Sequence, residues 1–334
     1  MTNEDYELTL FDRLNVIRDT ITKYGEDNFY ISFSGGKDST VLHYLIDMAL
    51  PNNKIPRVFA NTGIEYNDVV NFVKSMACKD ERIQIIEPSK KIKSFLQETG
   101  YPFKSKNHSE MVRRYQKNIN VIDPYIKQLE IDDSLKNNPS FIDGLGTGSK
   151  AVICYLIGRT SKNGQIIEKK NEHTCPSKLI HQFNKEYPLK ISDACCIEMK
   201  EKPVRNWAIK NNKKHCILGV MREEGGRRQT AKCIAFKGKR LNFQPLAIVS
   251  KNWEEWFINK FNIQLCRLYY QPYNFRRTGC KGCPFTLDLD KSLKTMEALL
   301  PTERSQCELI WRPVYEEYRR LGYRLKAEEQ IQIL

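Results

Sequence analysis

Phe29-Tyr30-Ile31-Ser32-Phe33, followed at once by Ser34-Gly35-Gly36-Lys37-Asp38-Ser39, decides how the rest of the chain reads. β-Branched and aromatic residues come first, then two glycines, then an i, i+3/i+4 apolar spacing through Val41, Leu42, Tyr44, Leu45, Ile46 and Met48. That order predicts strand, loop and helix. The backbone N–H groups of such a loop, with the positive end of the helix behind them, form an anion site. Gly35 and Gly36 let the backbone approach a phosphate with no Cβ in the way. Lys37 adds a mobile positive charge, and Asp38 and Ser39 are candidate caps. The loop is not of the Walker A type, whose four-residue spacer before Gly-Lys is missing.

Outward from this stretch, strands and helices alternate. Residues 5–24 read as an amphipathic helix with Leu8, Leu10, Phe11, Leu14, Val16, Ile17 and Ile21 spaced for a buried face. Arg57–Ala60 and Arg82–Ile86 read as strands around a helix from Tyr66 to Met76, and His215–Val220 as a later strand. Such βαβ units predict an α/β fold, a mostly parallel sheet with flanking helices. Ligands of these folds bind beyond the carboxyl ends of strands, which puts the 34–39 loop and the turn Asn61-Thr62-Gly63 on one edge. Arg222, Arg227 and Arg228 follow the strand at 215–220 and are placed there to bind phosphate or sulfate with their planar forks of donors.

The 334 residues, two-fifths of them apolar, suffice for one large or two smaller cores, and the net charge of +14 favours an anionic partner, nucleotide or nucleic acid. No apolar run approaches a membrane span, and the acidic start Asn3-Glu4-Asp5 does not read as a signal peptide, so a cytoplasmic protein with no membrane partner is expected. Eleven cysteines in such a protein point away from a disulfide framework. Cys78, Cys154, Cys216, Cys233 and Cys266 read as small core residues. A basic stretch, Lys104 to Lys117, interleaves Tyr101, Phe103 and Tyr115; it suits phosphates and bases, or is simply a solvated helix. Pro139–Lys150 reads as loop. Ala151–Ile157 with Gln165–Glu168, around Asn163-Gly164, reads as a hairpin. Trp253 and Trp256 lie on an aromatic helix and are expected to pack. A helix from Cys307 to Leu321 has Leu309, Ile310, Trp311, Val314, Tyr315 and Tyr318 on its buried side.

The Ser34–Ser39 loop resembles the pyrophosphate (PP) loop of the adenine-nucleotide α-hydrolase superfamily. That resemblance implies binding of ATP or another adenine nucleotide by Ser34, Gly35, Gly36, Lys37, Asp38 and Ser39. Asn61-Thr62-Gly63 resembles the Asp-Thr-Gly segment of the reductase branch, with Asn61 in place of the usual Asp. Met221–Arg228 resembles a Gly-x-Arg-x-Glu-Glu-like segment of the superfamily. On this basis Lys37, Asp38 and Arg222 are the expected catalytic residues, with Arg227 and Arg228 beside them.

A lone Cys-x-x-Cys has several meanings: zinc, a redox pair, a cluster or a turn. Here Cys280-Lys281-Gly282-Cys283 follows Cys195-Cys196 by about eighty residues, with Lys200 and Pro203-Val204 between them. The combination resembles the cluster-bearing members of the phosphoadenylylsulfate reductase-like family. It implies Cys195, Cys196, Cys280 and Cys283 as ligands of a 4Fe–4S cluster and Lys200 as a nearby cation, with Met199 where the family often has Arg. Zinc has the same ligand set and stands as the alternative, as do unliganded thiols, and Cys307 is a spare ligand. Lys200, Lys281, Arg276 and Arg277 supply compensating charge close in sequence.

The resemblance runs from about residue 25 to residue 290. It implies a domain at 1–250 with an insertion around 101–190, and a small Cys-containing helical region at 251–334. Two reactions are open within it. Assimilatory reductases use a cysteine in a C-terminal tail, and no cysteine follows Cys307 in this sequence. The expectation therefore leans to the ATP pyrophosphatases of DNA phosphorothioation, with Mg²⁺ bridging the phosphates and adenylylation preceding sulfur transfer. The implied partners are an adenine nucleotide and a sulfur donor or thiol reductant protein, with nucleic acid and self-association open. A non-catalytic nucleotide- or nucleic-acid-binding protein is the remaining class.

Overall fold

The structure is a computed structural model, described here for residues 2–162, 165–168, 173–225 and 228–326. In chain order the strands are β1 (Phe29–Phe33), β2 (Arg57–Ala60), β3 (Ile83–Ile86), β4 (Arg159–Lys162), β5 (Gln165–Glu168), β6 (His215–Leu218), β7 (Ile234–Lys237) and β8 (Arg240–Phe243). The helices begin with α1 (Asn3–Tyr24), α2 (Lys37–Ala49), α3 (Asn67–Ala77), α4 (Ile92–Thr99), α5 (Lys106–Lys117), α6 (Ile119–Ile131) and α7 (Thr147–Leu156). After them come α8 (Ala194–Cys196), α9 (Lys202–Lys210), α10 (Lys251–Lys260), α11 (Leu289–Leu299) and α12 (Pro301–Leu321). The chain divides into two compact units, Met1–Lys91 with Glu198–Lys281 and Ile92–Ile197 with Gly282–Leu334.

The first unit holds a six-stranded sheet in the order β3-β2-β1-β6-β8-β7. Ile31 pairs with Arg57, Phe29 with His215 and Cys216 with Asn242, all in parallel register, and only β7 runs antiparallel, against β8. Tyr30 and Ile31 are buried on successive faces, as an unbroken apolar run in a sheet covered on both sides requires. On one side Leu10, Ile17 and Ile21 of α1 pack with Leu42, Leu45 and Ile46 of α2 and with Trp253 and Phe257 of α10. Leu8 and Phe11 are exposed, so the buried face of α1 is narrower than its apolar composition predicts. Both tryptophans of α10 pack as expected, with Trp253 Nε1 donating to the Tyr6 carbonyl at 3.0 Å and Trp256 Nε1 to Asn3 Oδ1 at 2.7 Å.

At the amino edge of this sheet the buried Arg57 is fully partnered. It donates to His43 Nδ1 at 3.1 Å and Asn53 Oδ1 at 2.9 Å and pairs with Asp47 at 2.5 Å, which Arg82 also holds at 2.9 Å. Burial and the neighbouring Arg57 push His43 down to about 4, so the imidazole is a neutral acceptor.

The second unit is mainly helical, with the β4–β5 hairpin paired from Arg159↔Glu168 to Lys162↔Gln165. Asn163 and Gly164 lie outside the described residues. Three expectations are corrected. Ala151–Ile157 is not a hairpin arm but most of α7, because a short apolar run fits a buried helix as well as a strand. Pro139–Lys150 is not loop throughout, since Pro139–Ile142 forms a 3₁₀ turn and α7 begins at Thr147. Of the aromatic residues among the basic ones around α5, Phe103 and Tyr115 are fully buried, as is His108, and so are not open to bases, while Tyr101 is half-buried. His108 Nδ1 lies 2.8 Å from the Tyr155 hydroxyl and Nε2 2.7 Å from Gln182 Oε1, while Arg113 pairs with Asp193 at 2.7 Å. On α12 Leu309 is exposed, whereas Cys307, Trp311, Tyr315 and Tyr318 are buried. Cys78 is exposed and Cys233 half-buried, so only Cys154, Cys216 and Cys266 of the five expected core thiols are buried. Among the described residues, no helix is long and apolar enough to cross a membrane.

Candidate functional site

Ser34–Gly36 leave β1 at its carboxyl end and enter α2 at Lys37, as strand–loop–helix reading predicts. Gly35 sits at φ +68°, and a Cβ there would come within 2.6 Å of Val73 Cγ2 and 3.0 Å of Val69 Cγ1 on α3. Only glycine meets both conditions. The two serines close the turn on itself: their hydroxyls are 2.9 Å apart, and Ser39 Oγ donates to the Gly36 carbonyl at 2.9 Å. Gly36 is the N-cap of α2 and offers no side-chain cap. The Tyr269 hydroxyl, from the far end of the unit's sequence, accepts from the Lys37 N–H at 2.9 Å and lies 2.7 Å from Thr278 Oγ1. Beneath the first turn, Gly219 at the end of β6 leaves 2.9 Å between a would-be Cβ and the Asp38 carbonyl oxygen.

The charges at the mouth of the loop are tightly interleaved. Lys37 Nζ pairs with the fully buried Glu254 of α10. Burial, with the Asp38 carboxyl beside it, pushes Glu254 up to about 8. Asp38 is likewise raised, by burial and by Glu224, and it hydrogen-bonds Glu254. Two carboxyl groups this close share a proton rather than both ionising, and titrate as a pair. Glu224 is held by Arg228 and by Arg277 at 3.1 Å. The structure thus gathers Lys37, Asp38 and Arg228 with two acids and an arginine, Glu254, Glu224 and Arg277, that sequence reading did not assign to the loop. Arg222 is exposed and its Nε donates to the Ala231 carbonyl at 2.6 Å. Arg227 lies outside the described residues.

The second loop is fixed by one buried carboxylate. Glu65 accepts from the Thr62 N–H at 2.8 Å and from the Thr62 hydroxyl at 2.9 Å, and pairs with Lys200 Nζ at 2.9 Å. Asn61 continues the strand ladder, its N–H donating to the Ile86 carbonyl at 2.8 Å, and its side-chain oxygen faces the Gly63 N–H at 3.4 Å. Glu65 also forms an antiparallel bridge with Cys280.

The cysteine segment fits thiolate chemistry where it can be followed within each unit. Burial opposes the charge on Lys200, but Cys280 and Glu65 outweigh it and hold the ammonium above its ordinary range. The Lys200 ammonium and the Cys280 thiol are thus neighbours within the first unit. In the second unit Cys195 is buried on α8, which runs into a π-helical turn at Ile197. Gly282 sits at φ +61°, where a Cβ would come within 2.7 Å of Cys307 Sγ, so glycine is required at that position of the Cys-x-x-Cys turn. The Tyr315 hydroxyl donates to the Gly282 carbonyl and that of Tyr318 to the Pro284 carbonyl at 2.9 Å, fixing the backbone on either side of Cys283.

The sequence profile of the phosphoadenosine phosphosulfate reductase domain matches residues 28–138 and 149–286. An uncharacterized protein of Methanocaldococcus jannaschii is 29% identical over 141 residues, 39% of this chain and 34% of that protein, so the chain spans about a third of the length of this relative. Among solved structures, phosphoadenylyl-sulfate reductase from Candida auris, a phosphate complex, is similar with a TM-score of 0.40 at 10% identity, covering 80% of this chain and 91% of that one. The U34-tRNA thiolase of Methanococcus maripaludis, with its [4Fe-4S] cluster, has a TM-score of 0.37 at 14% identity, covering 98% of this chain and 84% of that one. The profile spans the loop after β1, the turn at Asn61, the arginine segment after β6 and both cysteine pairs. With most of its length matched in this way, the chain belongs to the phosphoadenosine phosphosulfate reductase domain family.

Proposed function

We propose that this protein binds ATP at the Ser34–Ser39 loop and releases pyrophosphate while adenylylating an acceptor, in preparation for sulfur transfer. An oxygen of the acceptor attacks the α-phosphorus, the bond to the β-phosphate oxygen breaks, and a sulfur nucleophile later displaces AMP. The observation that carries this reading is the Asp38–Glu254 pair set against Lys37 at the loop. Two adjoining carboxyl groups that hold a proton between them suit a divalent cation, because Mg²⁺ is usually bound through one or two carboxylates together with substrate phosphates. Asp38 and Glu254 would hold Mg²⁺, which when bound neutralises charge on the leaving pyrophosphate. The loop amides and Lys37 bind the β- and γ-phosphates, and Arg228 adds charge on the strand side. Catalysis is then mainly positioning, and Gly219 sets the position by letting β6 approach the first turn of α2.

Reduction of an adenylylsulfate is the second reading, favoured by the family profile. It requires an accessible thiolate, and Cys307, the candidate for that role, is fully buried on α12. The sequence pattern supports Cys195, Cys196, Cys280 and Cys283 as ligands of a 4Fe–4S cluster, with Lys200 compensating charge; zinc is the alternative occupant. The net charge of +14 favours a nucleic acid as acceptor.

Anaerobically purified protein, its iron and sulfide already measured, tests the choice. It is incubated with ATP and Mg²⁺, and separately with adenylylsulfate or its 3′-phosphorylated form and a thiol reductant. Pyrophosphate without sulfite is the expected result, and sulfite would overturn it.

A further inference from the structure

The loop of an anion site presents the first amides of its helix to the ligand. Here the amide of Lys37, the first residue of α2, already has an acceptor, the phenol oxygen of Tyr269 at 2.9 Å. The neighbouring hydroxyl of Thr278, 2.7 Å away, completes the arrangement. A Cβ on Gly36 would stand 3.3 Å from the same phenol oxygen. The oxygen therefore sits at the amino end of α2, on the N–H that a phosphate oxygen bound at this loop would use. The chain brings it there from a separate segment, and that segment is tied to α3 through the Arg267–Asp68 pair at 2.6 Å.

We infer that Tyr269 is a positioning residue whose phenol oxygen stands in for a phosphate oxygen on the Lys37 amide and is exchanged for one when the nucleotide binds. This deepens the ATP reading and rests on it. A neutral phenol is a suitable stand-in. It satisfies the orphan amide and keeps the loop in its binding shape while the site is empty. It also yields readily, because a hydrogen bond to an ionised phosphate is roughly twice as strong as one between neutral groups. Thr278 receives or supplies the phenol proton, so no buried hydroxyl is stranded while Tyr269 is docked. Thr278 lies two residues before Cys280, and displacement of Tyr269 is accordingly felt first at the segment leading into the Cys-x-x-Cys turn.

The test is binding of inorganic pyrophosphate and of ATP, measured calorimetrically on the full chain as purified, for wild type, Tyr269→Phe and Thr278→Val. Phenylalanine keeps the ring and removes only the competing oxygen. The expected result is tighter binding by Y269F, roughly fivefold in Kd, the net worth of one neutral hydrogen bond. T278V, which removes the partner of the phenol but not the phenol, shifts Kd in the same direction by less, and stands in for Y269F if that variant does not fold. Unchanged or weaker binding by the variants, with wild type binding normally, overturns the exchange while leaving the nucleotide reading intact. Binding of neither ligand by any of the three proteins overturns both.

Discussion

Gly219→Ala is the sharpest test of how this fold positions the loop. Gly219 is not at a positive φ, so alanine brings no backbone strain of its own. What it brings is a methyl group 2.9 Å from the Asp38 carbonyl oxygen, 3.0 Å from the Asp38 carbonyl carbon and 3.1 Å from the Ser39 nitrogen. Ordinary contact begins near 3.4 Å, so the first turn of α2 must retreat by roughly half an ångström, and none of these atoms can rotate aside because all are backbone. Overpacking of this kind costs about 1–3 kcal/mol. A misplacement near 1 Å costs about a hundredfold in rate, which scales to roughly tenfold here. Urea denaturation measures the first quantity, and initial rates of pyrophosphate release with calorimetric binding of ATP measure the second. Gly148→Ala is the control: its Cβ meets nothing, it lies in α7, and helix propensity predicts a gain of up to about 1 kcal/mol with binding untouched. A G219A protein that loses more than 1 kcal/mol of stability yet binds and turns over ATP like wild type would refute the idea that this contact sets the loop.

Glu254→Gln removes a carboxyl that burial and Asp38 push up to about 8 from its ordinary 4.5. A raised acid pKa contributes stability that is full below about pH 4.5 and is lost as pH rises through about 8. The wild-type Tm should therefore fall more steeply than that of E254Q between those limits, and parallel curves would count against the pairing. Lys37→Ala takes the cation from Glu254, whose raised pKa lets it keep its proton, so the expected loss is about the 1–3 kcal/mol of a buried polar group left without its partner; the double variant K37A/E254Q should recover stability in denaturant but not pyrophosphate release. Asp47→Asn leaves Arg57 buried with a weaker partner at the opposite edge of the sheet, lowering stability by about 1–3 kcal/mol while the Kd for ATP stays the same. Serine at Cys195, Cys196, Cys280 or Cys283 should lower the iron and sulfide content of the purified protein, whereas Cys307→Ser should not.

Much of the first unit could be read locally. β1, its loop and α2 are contiguous, their chemistry is in six adjacent residues, and the alternation of strand and helix announces a parallel sheet. The partners of the loop could not be read this way. Glu254 follows Lys37 by more than two hundred residues and meets it only because α10 packs on α2. The available signal was a glutamate flanking the Trp253–Phe257 apolar stripe, a charge where a core side chain was due. Tyr269 and Thr278 gave no local signal, since their role depends on which segment the sheet brings across the loop. Arg277, close in sequence to the cysteines, pairs with Glu224, a contact that sequence proximity does not announce. In the second unit β4 and β5 do pair antiparallel, but a seven-residue apolar run cannot choose by itself between strand and helix. The basic composition around α5 likewise hid that His108 and Tyr115 face inward.

The order of the sheet also constrains the protein while it is being made. β1 is flanked by β2 on one side and β6 on the other, so one whole edge of its backbone waits for residues 215–218. At about 5–20 residues per second, that wait is on the order of ten seconds, during which β1 to β3 can form a three-stranded fragment with an open, apolar edge. The intervening segment, residues 92–197, belongs to the other unit, and its described residues supply no strand to close it. The Ser34–Ser39 loop is thus translated long before Gly219, Glu254 and Tyr269, the residues that pack against it. Nascent chains of this protein should depend on factors that shield strand edges, and truncation before residue 215 should yield aggregates rather than a smaller nucleotide-binding domain.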